Sequence, residues 1–299
     1  MLIYHNNQLM KPNYPSPDQE LDDLSPKEVN TGERIQKVLA HAGFGSRREI
    51  EGWIRNGLVK INGTTAKLGD RMRDDDLLHL RGKKINMAKR LDAPTRVLIY
   101  HKPSGEVVTR RDPEGRAVIF TQLPKLQIGR WITVGRLDIN TQGLLLVTNN
   151  GEFANRLMHP SQQVEREYAV RVFGKVTEEI LTTLLSSVEL SDGEAHFDSI
   201  DPAGGEGANT WFRVVVKEGR NRIVRRLWES QGITVSRLMR VRYGPVVLPE
   251  RLKARTFYEL DKKEMAALLE FAGIQPENGQ PQGRNNVTRR KKNRRKGIG

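Results

Sequence analysis

The stretch from Gly135 to Gly151 places the strongest constraint on how this chain can fold. It follows a β-branched run ending at Val134, carries Asp138 just before a polar turn, and continues into the unbroken apolar run Leu144–Val147. A short apolar run bounded by turn residues is typical of a buried strand. We therefore predict that Asp138 lies on a tight connection between two core strands. An aspartate there either bonds its own backbone within the turn or serves a function, and the local pattern leaves both open.

Residues 31–80 show a different pattern. Apolar residues at helical spacing predict two consecutive helices, the second of which begins with a Ser46–Glu49 capping box. A short alternating strand follows and returns through an Asn62–Gly63 hairpin turn. These features predict a small helix–turn–helix–hairpin domain.

Residues 97–275 predict a second, larger domain of α+β class. The predicted strands are 97–100, 165–172, 210–217 and 235–244, together with the central run. The predicted helices are 153–158, 177–185, with Leu185 facing inward, and 265–271. The glycine-rich residues 203–208 predict a turn. Pattern alone does not give the order of the strands.

Three segments lack the apolar residues that a core requires. Residues 1–30 are rich in Pro, Asn, Asp, Glu and Ser, and we expect them to be disordered. Residues 276–299 form a basic tail in which 284–296 carry eight Lys/Arg and no acid, which also predicts disorder in the free protein. Residues 81–96 are basic and poorly periodic, which predicts a linker between the two domains.

The composition limits the partner and the chemistry. A net charge of +14 and a pI near 10.0 predict a polyanionic partner, with nucleic acid ahead of membrane. No apolar run approaches the roughly 20 residues that cross a bilayer, and the first residues do not resemble a secretory signal, so we expect a cytoplasmic protein. The absence of cysteine excludes disulfides, Cys-ligated zinc and a thiolate nucleophile. No phosphate-binding GxxxxGK[ST] loop or paired-histidine metal spacing occurs, so we expect neither a cofactor nor a metal.

Four blocks of the larger domain resemble the pseudouridine synthase family. They are YHKPSG at 100–105, GRLDINTQGLLLVTNNG at 135–151, EREYAVRV at 165–172 and EGRNRIVRRLW at 218–228. The resemblance covers most of the chain and is closest to the branch that modifies bacterial ribosomal RNA. The small domain resembles the RNA-binding module first recognised in ribosomal protein S-four. Where the family often has His-Gln, this chain has Arg222-Ile223, which leaves the role of Arg222 open.

The resemblance implies a mixed, largely antiparallel sheet flanked by helices, with Asp138 in a central cleft as the catalytic carboxylate. It also implies that Tyr168 stacks on the target base and that Arg225 lies against the carboxylate. Arg136 would help to hold the space left by the base, which must be flipped out of the RNA before it can react.

Several basic residues are candidates for contacts with RNA phosphates. In the small domain they are Lys37, Arg47, Arg48, Arg55, Lys60 and Lys67, and in the larger domain Arg220, Arg222 and Arg226. The alternative is that these are ordinary solvated charges.

The resemblance implies that a monomer isomerises one uridine of 23S rRNA, of the pseudouridine-2605 type, in free rRNA or in a large-subunit precursor. The reaction breaks the N1–C1′ bond and joins C5 to C1′, so it needs no redox cofactor or group donor. The carboxylate would act as a nucleophile or as a base. A second hypothesis is a non-catalytic RNA-binding assembly factor that keeps the fold. A third, an RNA methyltransferase, lacks a recognisable methyl-donor loop.

Overall fold

A computed structural model describes residues 32–87, 94–206 and 209–274 of the chain. The segments predicted to be disordered, 1–30 and 276–299, lie outside the described residues, as do residues 88–93 of the predicted linker. The described residues contain six α-helices: α1 Ile35–His41, α2 Arg47–Arg55, α3 Gly151–Met158, α4 Glu178–Ser186, α5 Ile223–Ser230 and α6 Lys262–Phe271. Together with the strands they form a small domain and a larger domain, and the predicted α+β class is confirmed.

The small domain packs two helices against short strands. The strands are β1 Glu33–Arg34, β2 Val59–Ile61, β3 Thr64–Thr65, β4 Arg71–Met72, β5 Leu78–Leu80 and β6 Lys83–Ile85. One sheet has the order β3–β2–β5–β6, and β1 pairs with β4. The predicted capping box is present, since the backbone N–H of Glu49 donates to Ser46 Oγ at 3.1 Å and the Glu49 carboxylate accepts from Ser46 N–H. Ile35, Leu39 and Ile50 are fully buried where the two helices meet the sheet.

The linker predicted over residues 81–96 is shorter in the structure. Arg81 and Gly82 have positive φ angles and form the turn between β5 and β6. Met87 packs into the core of the small domain. The sequence concealed this hairpin because Lys83 and Lys84, which make up most of β6, are exposed and charged.

The larger domain is built on a nine-stranded sheet. Its strands are β7 Val97–Lys102, β8 Ile132–Thr133, β9 Gln142–Thr148, β10 Arg166–Phe173, β13 Ser199–Glu206, β14 Asn209–Val216, β15 Thr234–Tyr243, β16 Val246–Val247 and β17 Phe257–Glu259. The order is β13–β14–β10–β15–β9–β7–β17, with β16 on β15 and β8 on β9. A separate hairpin consists of β11 Val188–Leu190 and β12 Gly193–Ala195. The expected mixed, largely antiparallel sheet is confirmed.

The two halves of this sheet meet along β9 and β15, which run parallel, whereas the other pairs recorded in the sheet are antiparallel. Gly143 of β9 lies opposite Arg240 of β15. A Cβ atom at Gly143 would stand 2.2 Å from the Arg240 carbonyl oxygen, and φ there is +102°. Glycine is therefore required at this crossing, because no side chain fits between the strands.

Helices cover the sheet on both sides. On one side α4 and α5 pack over the β10–β14–β15 half, with Trp228 and Leu184 fully buried. On the other side α3 and α6 cover β7 and β9, with Phe153 and Leu268 fully buried. The central run is a strand whose residues from Gly143 to Thr148 are all buried, as predicted.

Two local predictions in this domain were wrong. Residues 203–208 were predicted to form a turn, but 203–206 continue β13 with a bulge between Pro202 and Gly205, because pairing with β14 outweighs the local preference of glycine for turns. Residues 207 and 208 lie outside the described residues. Leu185, predicted to face inward from α4, is 42% exposed.

The described residues of the two domains are in direct contact. A Cβ atom on Gly43 would stand 2.2 Å from the Cα of Gly129, so the two backbones are in direct contact. Lys37 of α1 forms an ion pair at 2.9 Å with Glu152 of α3. Among the described residues, no helix has the length and apolar character to cross a membrane.

Candidate active site

Asp138 lies on the connection between β8 and β9, at the end of the seam where the two halves of the sheet meet. Its side chain is half-buried, and its carbonyl oxygen accepts a turn hydrogen bond from Thr141 N–H at 3.0 Å. Within residues 32–87, 94–206 and 209–274, the Asp138 carboxylate forms no ion pair. The predicted tight connection between core strands is confirmed, and the turn is closed by backbone atoms, which leaves the carboxylate available to another molecule.

The buried side chain of Lys102 holds this turn in place. Its side chain is fully buried, and its Nζ donates to the carbonyl oxygens of Asp138 (3.0 Å), Thr141 (2.9 Å), Pro103 (3.0 Å) and Ile139 (3.3 Å). Burial lowers the pKa of Lys102 to about 8, although the negative charges of Glu106 and Asp138 favour the ammonium. The amine is therefore still protonated at pH 7, and one buried cation fixes the backbone from Asp138 to Thr141 and joins it to the loop after β7.

A second buried group, Glu106, supports Lys102. Its carboxylate accepts a hydrogen bond from the Tyr100 hydroxyl at 2.6 Å and forms an ion pair with Arg255 at 3.0 Å. Burial, followed by the bond to Glu106, raises the pKa of the Tyr100 hydroxyl. Beside Glu106, the backbone N–H of Gly105 donates to the Ile139 carbonyl at 2.8 Å. The loop after β7 is thus bonded directly to the turn that carries Asp138.

Arg225 approaches the same turn from α5. Its side chain is 7% exposed and donates to the carbonyl oxygens of Val235 at 2.9 Å and Asn140 at 3.2 Å. Burial lowers the pKa of Arg225 most, and the negative charge of Asp138 partly counters this. The structure therefore brings Arg225 near Asp138, as the resemblance implies. Its recorded bond to the turn, however, is to a carbonyl and not to the carboxylate.

Tyr168 and Arg136 occupy different environments. Tyr168 is on β10, is 8% exposed, and shares a buried cluster with Leu137, the residue before Asp138. Arg136 is exposed, two residues before Asp138. No hydrogen bond or ion pair of the Arg136 side chain is formed with the described residues. Tyr168 therefore packs beside the turn that carries Asp138, whereas the Arg136 side chain is open to solvent.

The small-domain cations divide into two groups. Those exposed to solvent are Arg47, Arg48, Arg55, Lys60 and Lys67. Lys37 differs, because it is bonded to Glu33 and Glu152, which raise its pKa. A cation neutralised by two carboxylates contributes little to the attraction of phosphate, so Lys37 is better explained as a contact between the domains.

In the larger domain, Arg220 and Arg226 both form ion pairs with Asp192 in the β11–β12 hairpin. Arg226 lowers the pKa of Asp192 to about 2. Arg222 is exposed and has a Glu229 carboxylate at 3.3 Å. Arg220 and Arg226 hold the start of α5 against the hairpin, a role that the sequence did not predict.

Sequence reasoning missed Lys102 and Glu106. The available signal was a lysine at the end of an otherwise apolar strand, where a solvated charge would be out of place. No group of three or more His, Asp or Glu side chains in the part of the chain that the structure describes is placed to hold a metal ion.

Comparison with known proteins identifies the two domains. Residues 96–230 match the family described as RNA pseudouridylate synthase, and residues 33–78 match the S4 domain. The chain is 56% identical over 249 residues to ribosomal large subunit pseudouridine synthase B of Pseudomonas aeruginosa, covering 83% of this chain and 64% of that protein. It is 55% identical over 246 residues to the protein of the same name from Vibrio cholerae, covering 82% of this chain and 77% of the relative.

Relatives from other bacteria and a solved structure agree. The synthase B of Escherichia coli strain K12 is 54% identical over 247 residues, covering 82% of this chain and 85% of the relative. A crystal structure of a pseudouridylate synthase superimposes with a TM-score of 0.55 at 24% identity, covering 79% of this chain and all of that one, and shows the same fold. The chain belongs to the RNA pseudouridylate synthase family and carries an S4 domain at its amino-terminal side.

Proposed function

We propose that this protein isomerises a specific uridine of 23S rRNA to pseudouridine in the cytoplasm, with Asp138 as the essential carboxylate. The observation that carries the proposal is the construction of the turn. A fully buried ammonium and a buried guanidinium bind the backbone around Asp138, while its carboxylate forms no ion pair within the described residues. Family membership and relatives named large subunit pseudouridine synthase B support the choice of reaction and of RNA.

In the proposed mechanism, the target uridine is flipped out of the RNA at a cost of a few kcal/mol. Stacking on Tyr168 would recover roughly 1–3 kcal/mol, and Arg136 would occupy the space left in the RNA. Asp138, whose carboxylate is a nucleophile or a base, then promotes breakage of the N1–C1′ bond. The freed uracil turns so that C5 faces C1′ and a new C–C bond forms. The proton released from C5 passes to water and N1 takes up a proton from water, so the product contains the same atoms as the substrate.

Positioning explains why a single carboxylate suffices. The group must keep its place while the base detaches and turns, and fixed geometry of this kind supplies a large part of an enzymic rate. Lys102 and Arg225 hold the turn through main-chain oxygens, so they restrain Asp138 without neutralising its charge. We propose that they are positioning residues.

The proposal is tested with 23S rRNA labelled with tritium at uridine C5. Isomerisation displaces that hydrogen, so wild-type protein should release tritium from free rRNA or from large-subunit precursors, and Asp138→Asn should release none while binding RNA equally well. Asp75→Asn, an exposed carboxylate of the small domain, is the matched control and should behave as wild type. Base-resolution mapping then identifies the uridine, for which a pseudouridine-2605-type position stays our prediction. Binding without release by the wild type would favour a non-catalytic assembly factor instead.

A further inference from the structure

A cavity of about 290 Å³ lies between the two domains. Its lining comes from both of them: Lys37, Ala40, His41, Ser46, Arg47 and Arg48 from the small domain, and Arg130, Ile132, Gly151 and Glu152 from the larger. Four of these ten residues are permanent cations and one is an acid. The cavity adjoins the contact between Gly43 and Gly129, so its shape depends on how the domains are docked.

The single acid of this lining is already neutralised. Glu152 is bonded to Lys37 at 2.9 Å, and this bond is the main cause of the lowered pKa of Glu152. Lys37 is in turn occupied by Glu33 and Glu152. What remains is the positive charge of Arg47, Arg48 and Arg130, none of which forms an ion pair with another described residue.

Arg130 has an unusual environment for a cation. Its Nε atom is buried and has no hydrogen-bond partner within the described ranges. The neighbouring Arg110, whose guanidinium lies 4.5 Å from the centre of the Phe120 ring, is close enough for the two positive charges to repel. Burial lowers the pKa of both arginines, and the negative charge of Glu49 offsets this only in part, so each would gain from an added negative charge.

We propose that this cavity binds a backbone phosphate of the RNA, held jointly by Arg130 of the larger domain and by Arg47 and Arg48 of the small domain. The inference rests on the proposed function only in taking RNA as the substrate. A phosphodiester would supply the hydrogen-bond acceptor that Arg130 Nε lacks, and its negative charge would lie among the three arginines. One guanidinium can donate two parallel N–H···O bonds to a phosphate. Because the ligand contacts both domains, RNA binding would fix the S4 domain relative to Asp138.

The test is the salt dependence of binding to a 23S rRNA transcript. Each phosphate contact contributes about one unit to the slope of log K against log salt concentration. Arg130→Gln should weaken binding about tenfold at moderate salt and reduce the slope by about one. The control Arg251→Gln, at an exposed arginine of the larger domain, should change neither. Arg130→Lys should keep the slope while weakening binding, which a misfolded protein would not do.

A double variant tests whether one phosphate is shared. If Arg48 and Arg130 hold the same group, the loss in Arg48→Gln/Arg130→Gln should be smaller than the product of the two single losses. If the loss of affinity in the double variant equals the product of the two single losses, the two arginines make separate contacts and the shared site is overturned. Wild-type affinity and slope in Arg130→Gln would overturn the phosphate site altogether. Failure of the catalytic proposal would look different. Arg130→Gln would still reduce the salt-dependence slope of RNA binding, but neither the wild type nor any variant would release tritium.

Discussion

Replacing Lys102 with methionine should disable the enzyme without abolishing its affinity for RNA. The substitution keeps an unbranched side chain of similar length in the buried site but removes the cation that bonds four carbonyl oxygens. Two of these oxygens keep a second donor, since Thr141 N–H donates to Asp138 and Gly105 N–H to Ile139. The loss therefore falls mainly on the carbonyls of Pro103 and Thr141.

The structure sets the size of the effect. A buried acceptor left without a donor costs about 1–3 kcal/mol, so two of them cost about 2–6 kcal/mol. Removing a buried ammonium recovers part of this cost. We expect a net loss of about 2–4 kcal/mol in the free energy of unfolding. A displacement of the Asp138 turn by about 1 Å would lower the rate about 100-fold.

The assay is single-turnover tritium release at saturating RNA, with thermal unfolding and RNA affinity measured on the same preparations. Lys217→Met is the matched control, because Lys217 is an exposed lysine paired with Asp198 at 2.8 Å and should be dispensable. Wild-type rate and stability in Lys102→Met would refute the argument that the buried ammonium positions Asp138. Loss of RNA affinity equal to the loss of rate would also refute it.

The pH dependence of the wild-type rate and stability gives a second test of the role of Lys102. Its pKa is about 8 in the folded protein, against an ordinary value of 10.5. As pH rises through 8, the neutral amine keeps only two donors for the four carbonyls, so the rate should fall. Stability should move the other way, since the folded state releases this proton first and the contribution of Lys102 to stability rises between about pH 8 and 10.5. A rate unchanged up to pH 10 would contradict this assignment.

Three further substitutions test other parts of the site. In Arg225→Lys the single ammonium cannot bond the carbonyl oxygens of Val235 and Asn140 together, as the planar guanidinium does. We expect the rate to fall about 10- to 100-fold in the tritium assay, with RNA affinity retained. Tyr168→Phe should bind RNA as wild type does, whereas Tyr168→Ala should lose about 1–3 kcal/mol of binding in a filter assay; equal binding by both variants would exclude stacking. Gly43→Ala should separate the small domain from Gly129, seen as faster proteolysis between the domains, while Gly63→Ala, at an open turn that also has a positive φ, should have only local effects.

Much of the fold could be predicted because local signals agreed with the tertiary structure. The Ser46–Glu49 capping box and the apolar strand β9 both formed as expected. Each depends on residues close in sequence. The order of strands in the nine-stranded sheet depends on distant pairings, above all the parallel contact of β9 with β15, and was not predicted. The family resemblance implied only a mixed, largely antiparallel sheet.

The roles of individual charges were harder to predict, because a sequence does not show which opposite charge folds against which. Lys37 was expected to meet RNA but faces Glu152, 115 residues further along the chain. Arg220 and Arg226 were candidates for contacts with RNA phosphates, and the sequence did not show that both pair with Asp192. Lys102 was overlooked for the opposite reason, since lysine is rarely fully buried and its four partners are main-chain oxygens that carry no sequence signal.

We expect Asp138 to perform the chemistry and the bonds around its turn to hold its carboxylate in place. The most direct measurement is single-turnover tritium release from C5-labelled 23S rRNA by wild type, Asp138→Asn and Asp75→Asn, with RNA affinity determined for each. We predict release by wild type and Asp75→Asn, none by Asp138→Asn, and equal RNA affinity for all three. Release by Asp138→Asn at the wild-type rate would contradict it.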